Sequence, residues 1–331
     1  MIRVVMCSLM AALLLAACGG GGNEGDSEKA KLEGNVRIDG SSTVYPITEA
    51  VAEEFRTVSP RVKVSVGVSG TGGGFKKFCV AETDINDASR PIKPSEIEKA
   101  AEHKVEFIEL PVAFDGISVV VNPKNDFVDH LSVAELRRIW EPGSKVRSWK
   151  DVRAQWPDRE MKLYAPGVDS GTFDYFTETV NGKSGACRSD FSASEDDNVL
   201  VTGIAGDQYA LGFFGFAYFD HNRDKLKIVA IDGSKGPIEP SNKTINDGTY
   251  SPLSRPIFIY VSAEAAKRPE VDAFVNFYLK SAAALVKDVG YVPLPEKVYE
   301  FAIARFGSRR TGTVYKSESD KSRTLAELMA P

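Results

Sequence analysis

The chain has 331 residues, with 41 Lys and Arg against 46 Asp and Glu, 3 His and 4 Cys, for a formal charge of −5. That length favours two lobes over a single core, and 43% hydrophobic with 26% charged residues excludes bulk disorder, collagen and polytopic membrane classes. A net acidic chain carries no electrostatic footprint for nucleic acid, and three histidines leave little material for a His-rich metal centre.

The N-terminus comes first. Arg3 precedes an apolar run over residues 4–15, then Ala16, Ala17 and Cys18. The run is too short for the ~20 residues of a spanning helix and fits a signal peptide. Leu15-Ala16-Ala17-Cys18 resembles the bacterial lipobox, in which the signal is cut before a cysteine that is then lipidated. Residues 1–17 are therefore expected to be removed, Cys18 to carry lipid, and the Gly-rich segment 18–33 to be a flexible tether. The protein is expected outside the cytoplasmic membrane or in the periplasm, anchored to the bilayer rather than spanning it.

From Gly34 onward, short apolar strands alternate with amphipathic helices. A strand at 36–39 leads to a helix with Ile47, Ala50, Val51 and Phe55 on one face. Val62, Val64, Val66 and Val68 alternate as a half-buried strand does, and strands continue at Ile85, 107–112 and 117–122. Pro94-Ser95-Glu96 and Ser132-Val133-Ala134-Glu135 read as helix starts. Further strands follow at Leu163, 213–216 and 228–231. A Gly/Pro/Ser/Asn-rich stretch over 232–256 precedes a strand at 257–261. A helix then carries Val271, Phe274, Val275 and Tyr278 on one face, and a last helix runs near Val298, Phe301, Ala302 and Arg305. The tail beyond Gly307 is polar and is expected to pack poorly until 325–329. This alternation predicts an α/β fold with largely parallel sheets.

Three strand-to-helix junctions share one chemistry: Asp39-Gly40-Ser41-Ser42-Thr43, Ser69-Gly70-Thr71-Gly72-Gly73-Gly74 and Asp169-Ser170-Gly171-Thr172. Each places hydroxyls and glycines where a helix begins, so free backbone N–H groups and the helix dipole favour an anion. Any one of them alone reads as an ordinary N-cap. Three together, at the carboxyl ends of strands, predict an oxyanion site. A fourth segment, 84–92, adds Ser89 and Arg90, whose guanidinium suits phosphate-like oxygens unless it pairs with Asp84 or Asp87. A carboxylate there would accept a hydrogen bond from hydrogen phosphate and repel fully ionised sulfate.

With Asp39–Pro46, Ser69–Lys76, Ala88-Ser89-Arg90-Pro91-Ile92 and Asp169–Phe176 read in order, the chain closely resembles the PstS family, the extracytoplasmic phosphate-binding proteins of phosphate ABC importers. The resemblance also covers 211–218 and 253–261. It implies a two-lobed α/β periplasmic-binding-protein fold of type II, with two crossover strands and a ligand cleft between the lobes. Lobe I would be 34–117 plus 253–331 and lobe II 118–252. It further implies a monomer with no cofactor or metal, whose partners are inorganic phosphate, ABC permease subunits and the lipid bilayer. The expected ligand-binding residues are Ser42, Thr43, Ser69, Gly70, Thr71, Ser89, Arg90, Ser170, Gly171 and Thr172, with Ser41, Asp87 and Asp169 beside them. Many relatives carry Arg where this chain has Pro166 and Asp where it has Arg90. Arg90 is then expected to supply the cation, which leaves the carboxylate acceptor open between Asp87 and Asp169.

The other readings are a binder or sensor for another oxyanion, and a secreted serine-type hydrolase using Ser170. Gly67-Val68-Ser69-Gly70-Thr71 misses the nucleophile elbow at its fifth residue, and residues 70–77 fail the P-loop spacing, with Phe75 after the last glycine where lysine is required. His103, His130 and His221 are isolated from one another and from any cysteine pair. Cys79 and Cys187 remain in the mature body; export invites a disulfide, but their placement in opposite lobes favours two separate thiols.

Overall fold

The computed structural model describes residues 32–330 apart from 169, 195, 234, 318, 319, 321 and 322. The signal segment, Cys18, most of the tether and Asp169 lie outside the described residues.

In chain order the elements are β1 (Glu33–Gly40), α1 (Tyr45–Val58), β2 (Arg61–Val68), α2 (Gly70–Phe78), β3 (Ile85–Ala88), α3 (Pro94–Glu102) and β4 (Phe107–Val121). Then come β5 (His130–Ser132), α4 (Val133–Trp140), α5 (Trp149–Val152), β6 (Lys162–Pro166), α6 (Gly171–Asn181), β7 (Ser192–Ser194), α7 (Asp197–Gly206), β8 (Ala210–Gly215) and α8 (Phe216–His221). The chain closes with β9 (Lys227–Ile228), β10 (Ala230–Asp232), β11 (Pro237–Ile238), α9 (Asn242–Asn246), β12 (Ser254–Ser262), α10 (Pro269–Asp288), α11 (Glu296–Gly307) and α12 (Leu325–Met329).

One path of hydrogen-bonded strands, β2-β1-β3-β12-β4-β8-β6-β7, runs through both lobes. The outer pairs β1–β2, β1–β3, β6–β8 and β6–β7 are parallel, as strand–helix alternation demands. The middle is antiparallel: β12 pairs with β3 and β4, and β4 pairs with β8. The largely parallel sheet expected from the sequence is therefore a mixed one.

The reason lies in β4 and β12, the two strands that pass between the lobes. Pro111 and Gly116 punctuate the run and suggest two strands, but β4 is one strand of 15 residues, every one buried. Its first part pairs with β12 and its last part with β8, so it belongs to both lobes at once. A bulge at Ile257/Phe258 accommodates Pro111, which cannot donate to a ladder. β12 likewise begins at Ser254, inside the stretch whose composition reads as loop.

The tail also departs from expectation. Gly312 N–H donates to the Phe107 carbonyl, Val314 N–H and Thr313 Oγ1 donate to the buried Glu109 carboxylate, and Tyr315 lies edge-on to Phe258. Glu109 is wholly buried and also accepts from Tyr260 Oη at 2.5 Å, so the polar tail is what satisfies an otherwise costly carboxylate.

Each lobe anchors its helices through aromatic contacts. In lobe I, α1 packs on α10 through Phe55 against Phe274, with ring centroids 5.4 Å apart, and Thr48 Oγ1 meets Tyr278 Oη at 3.1 Å. In lobe II, Phe176 stacks on Phe213 at 3.7 Å and Trp140 stands edge-on to both. That cluster fixes α6 on the sheet and so aims its N-terminus.

Candidate functional site

The first loop forms because β1 ends in Gly40, whose φ of +146° is open to glycine. A Cβ there would also lie 2.1 Å from the Asp87 carbonyl oxygen. Ser41 N–H donates to that carbonyl, and Ser41 Oγ accepts from Thr43 N–H at 3.2 Å. Ser41 thus turns inward as a local brace and Ser42 outward. Thr43 Oγ1 donates across the lobes to the Gly171 carbonyl at 3.4 Å.

On the facing lobe, Ser170 is the N-cap of α6, and its Oγ accepts from Thr172 N–H at 3.2 Å. Among the described residues no basic side chain is hydrogen-bonded to that hydroxyl. Gly171 marks the closest approach of the two loops, where a Cβ would stand 2.6 Å from Thr43 Cα.

Between these loops lies a cavity of about 470 Å³, walled by Ser42, Ser170, Gly171, Thr172 and Asp115, with Tyr45, Tyr218 and Tyr291 around it. Two helix N-termini from opposite lobes therefore face one space, and a concentration of small hydroxyls lines it. A separate cavity of about 310 Å³, near Lys235, Thr249 and Tyr315, contains none of the residues singled out from sequence.

The remaining candidates from sequence are not among the residues that wall this cavity. The second loop is already the first turn of α2, which begins at Gly70 with Ser69 as its N-cap. Gly74 permits this, because a Cβ there would meet Asn86 Oδ1 at 2.0 Å. Ser69 Oγ and the Lys77 ammonium both bond the Asp39 carboxylate. Burial acts to raise the Asp39 pKa, but those two partners outweigh it and hold it low. Thr71 Oγ1 and Ser89 Oγ pair at 3.0 Å, and Ser89 N–H donates to Thr71 Oγ1.

Arg90 is not among the residues that wall this cavity. Its fork is engaged by Glu96, Nη1 to Oε2 at 2.9 Å and Nη2 to Oε1 at 2.8 Å, while its guanidinium lies over the Phe75 ring. Neither Asp84 nor Asp87 is its partner. Asp87 is buried toward Thr48 and Tyr278, behind the first loop, and burial pushes its carboxyl up to about 8.

Two charged residues that the sequence reading passed over stand at or near this cavity. Asp115, on β4, forms part of the cavity wall, and Arg255, on β12, is its register partner across the two crossover strands. Arg255 Nη2 lies 3.5 Å from Asp115 Oδ2 and donates to Thr43 Oγ1 at 3.3 Å; Nη1 is 3.9 Å from Glu178. The guanidinium stacks 3.6 Å from the Tyr175 ring centroid. A lone aspartate inside an apolar run was the available signal for Asp115. Arg255 was hidden by its loop-like neighbourhood.

Among the described residues no cluster of His, Cys, Asp or Glu is arranged to hold a metal, and no helix is long and apolar enough to cross a membrane. Cys79 and Cys187 are both free thiols, and burial pushes each up to about 11.

The family model described as the PBP superfamily domain matches residues 25–282. Protein SphX of Synechocystis sp. is 48% identical over 298 residues, covering 89% of each chain. The phosphate-binding protein PstS of Staphylococcus saprophyticus is 43% identical, covering 87% of this chain and 88% of its own. A crystal structure of a possible phosphate-binding protein from Planctomyces limnophilus superposes with a TM-score of 0.82 at 46% identity, over 84% of this chain and 99% of its own.

Proposed function

Because the chain belongs to the PBP superfamily and is similar to the SphX and PstS proteins, we propose that it binds inorganic phosphate between its lobes and delivers it to the membrane subunits of an ABC-type phosphate importer. The observation that carries this is the cavity between the lobes, where Ser42 from one lobe faces Ser170, Gly171 and Thr172 from the other. Hydroxyls and helix N-termini bind an oxyanion without a cationic excess, which suits a chain of net charge −5.

In this reading Ser42, Thr43, Ser170 and Thr172 donate hydroxyls and Gly171 its backbone. Ser69, Gly70, Thr71 and Ser89 form the adjoining rim of lobe I, Ser69 exchanging its bond to Asp39, and Thr71 and Ser89 their mutual bonds, for bonds to the anion. Lobe I comprises 34–117 plus 253–331 and lobe II 118–252, hinged through β4 and β12, and closure about that hinge buries the ligand. No bond is made or broken. The protein works as an exported monomer, held to the bilayer by lipid on Cys18 and a tether over 18–33.

Calorimetry tests the ligand. Phosphate is expected to bind one-to-one, and no binding at any pH would end the proposal. The anchor is tested by labelled fatty acid, expected to be incorporated and to be lost in Cys18→Ala; label retained by that variant would refute it.

A further inference from the structure

Successive residues of a strand point to opposite faces of its sheet, so a strand pair that joins two lobes has two sides. Asp115 of β4 walls the cavity that Ser42 and Ser170 share. Its neighbour Phe114, with Ser254 and Pro256 on either side of Arg255 in β12, walls the separate cavity of about 310 Å³. Gly116, on the same face as Phe114, backs onto Ile245 of α9, where a Cβ would meet Cδ1 at 2.7 Å. The two cavities therefore lie back to back, with β4 and β12 as their common wall.

Like the front cavity, the rear one has a side in each lobe. Tyr315, Thr324 and Leu325 of the tail form the lobe I side, and Lys235, Gly236, Gly248 and Thr249 the lobe II side. Both sides are firmly held. Thr313 and Val314 tie the tail to Glu109, and Tyr315 lies edge-on to Phe258. Tyr250 Oη donates to the Ile117 carbonyl and Tyr175 Oη to the Pro252 carbonyl, each at 2.7 Å. Those bonds fix residues 250–252 to β4 and to α6, the helix whose N-terminus faces the front cavity. The lobe II side is also bare, since a Cβ on Gly236 or Gly248 would meet nothing within 4 Å.

The front is closed in this structure, with Thr43 Oγ1 reaching the Gly171 carbonyl across the lobes. Bending β4 and β12 to part those loops swings the rear sides toward each other, because the bend lies in the wall between the two cavities. Resting on the phosphate reading above, we propose that the rear cavity is the clearance into which the lobes swing when the cleft opens, so that filling it holds the protein in its closed, anion-retaining form. The space is thus a control point for affinity that never touches the anion. A binding-competent form populated at ~10% or less costs ~10-fold or more in apparent affinity, and disfavouring the open form recovers that loss.

The test fills the cavity from its rim. Lys235 and Thr249 are exposed, and Lys235 makes no ion pair among the described residues, so Lys235→Trp and Thr249→Trp add a ring there with little disturbance of the fold. Lys243→Trp, exposed on α9 and outside the lining, is the control. Calorimetry of the full chain with inorganic phosphate is expected to show affinity raised ~10-fold in the first two variants and held within ~2-fold of the parent in the control. Small-angle X-ray scattering of the unliganded chains is expected to give the two filled variants a smaller radius of gyration than the parent. Thermal melts identify any variant that fails to fold, and the other then decides. An affinity that fails to rise in a folded variant, or that rises as much in Lys243→Trp, overturns the proposal. A parent that binds no phosphate would instead bring down the ligand reading, and an unchanged radius in both filled variants would still overturn the role of the rear cavity.

Discussion

Gly171→Ala isolates the closing of the lobes from the chemistry of the ligand. The new Cβ would stand 2.6 Å from Thr43 Cα, 2.7 Å from Thr43 Oγ1 and 2.8 Å from Thr43 N. Two of these atoms are backbone, so no side chain can swing away, and the loops must part by several tenths of an ångström to restore ordinary contact. Overpacking of this kind costs about 1–3 kcal/mol. Here it falls on the closed form alone, because the clash is between lobes. Alanine suits the first turn of α6, and Gly171 lies outside the left-handed region that only glycine favours, so the helix itself is unharmed. If the closed form alone holds phosphate, affinity should drop roughly 5- to 150-fold at ~1.4 kcal/mol per factor of ten. The thermal midpoint of the unliganded protein should move by no more than ~2 °C. Calorimetry and a thermal melt on the same preparation measure both. An unchanged affinity would refute the claim that these loops meet when the ligand is held.

Arg90→Ala should leave phosphate affinity within ~3-fold and lower stability by about 1 kcal/mol, through loss of the partly exposed Glu96 pair; a drop of ~2 kcal/mol in binding energy would return Arg90 to the site. Asp87→Asn should change how stability depends on pH. The Asp87 carboxyl is raised from 3.8 to about 8, so the native form keeps a proton that the unfolded chain releases. Stability should therefore fall as pH rises between those values, with a slope approaching ~1.4 kcal/mol per pH unit. Urea melts at pH 5 and pH 8 should show that fall in the parent and a flatter profile in the variant; identical profiles would contradict it. Phe176→Ala removes a fully buried ring stacked on Phe213 and should cost about 3–5 kcal/mol in urea denaturation, and a loss below ~1 kcal/mol would show that α6 is held by something else.

What could be read from the sequence was what local pattern controls. The alternating valines of β2, the apolar face of α10 and the hydroxyl-rich junctions before α1 and α6 each announce themselves within a dozen residues. The junction loops stood out because N-cap chemistry and anion-binding chemistry use the same residues.

What could not be read was register. Asp115 and Arg255 meet only because β4 and β12 align in one ladder, across a long intervening stretch of chain. Local pattern carries no trace of that alignment. Arg90 misled for the opposite reason. It stands in the right motif, yet Glu96, six residues on, both caps α3 and captures its guanidinium. The tail beyond Gly307 looked unanchored because its partner, Glu109, is buried in a strand far earlier in the chain. In each case a long-range pairing decided the outcome.

The most direct test of the central claim is a crystal structure of the protein grown with inorganic phosphate. The account predicts one tetrahedral anion within hydrogen-bond distance of Ser42 and of Ser170 or Thr172. An anion bound elsewhere, or an empty cleft at saturating phosphate, would contradict it.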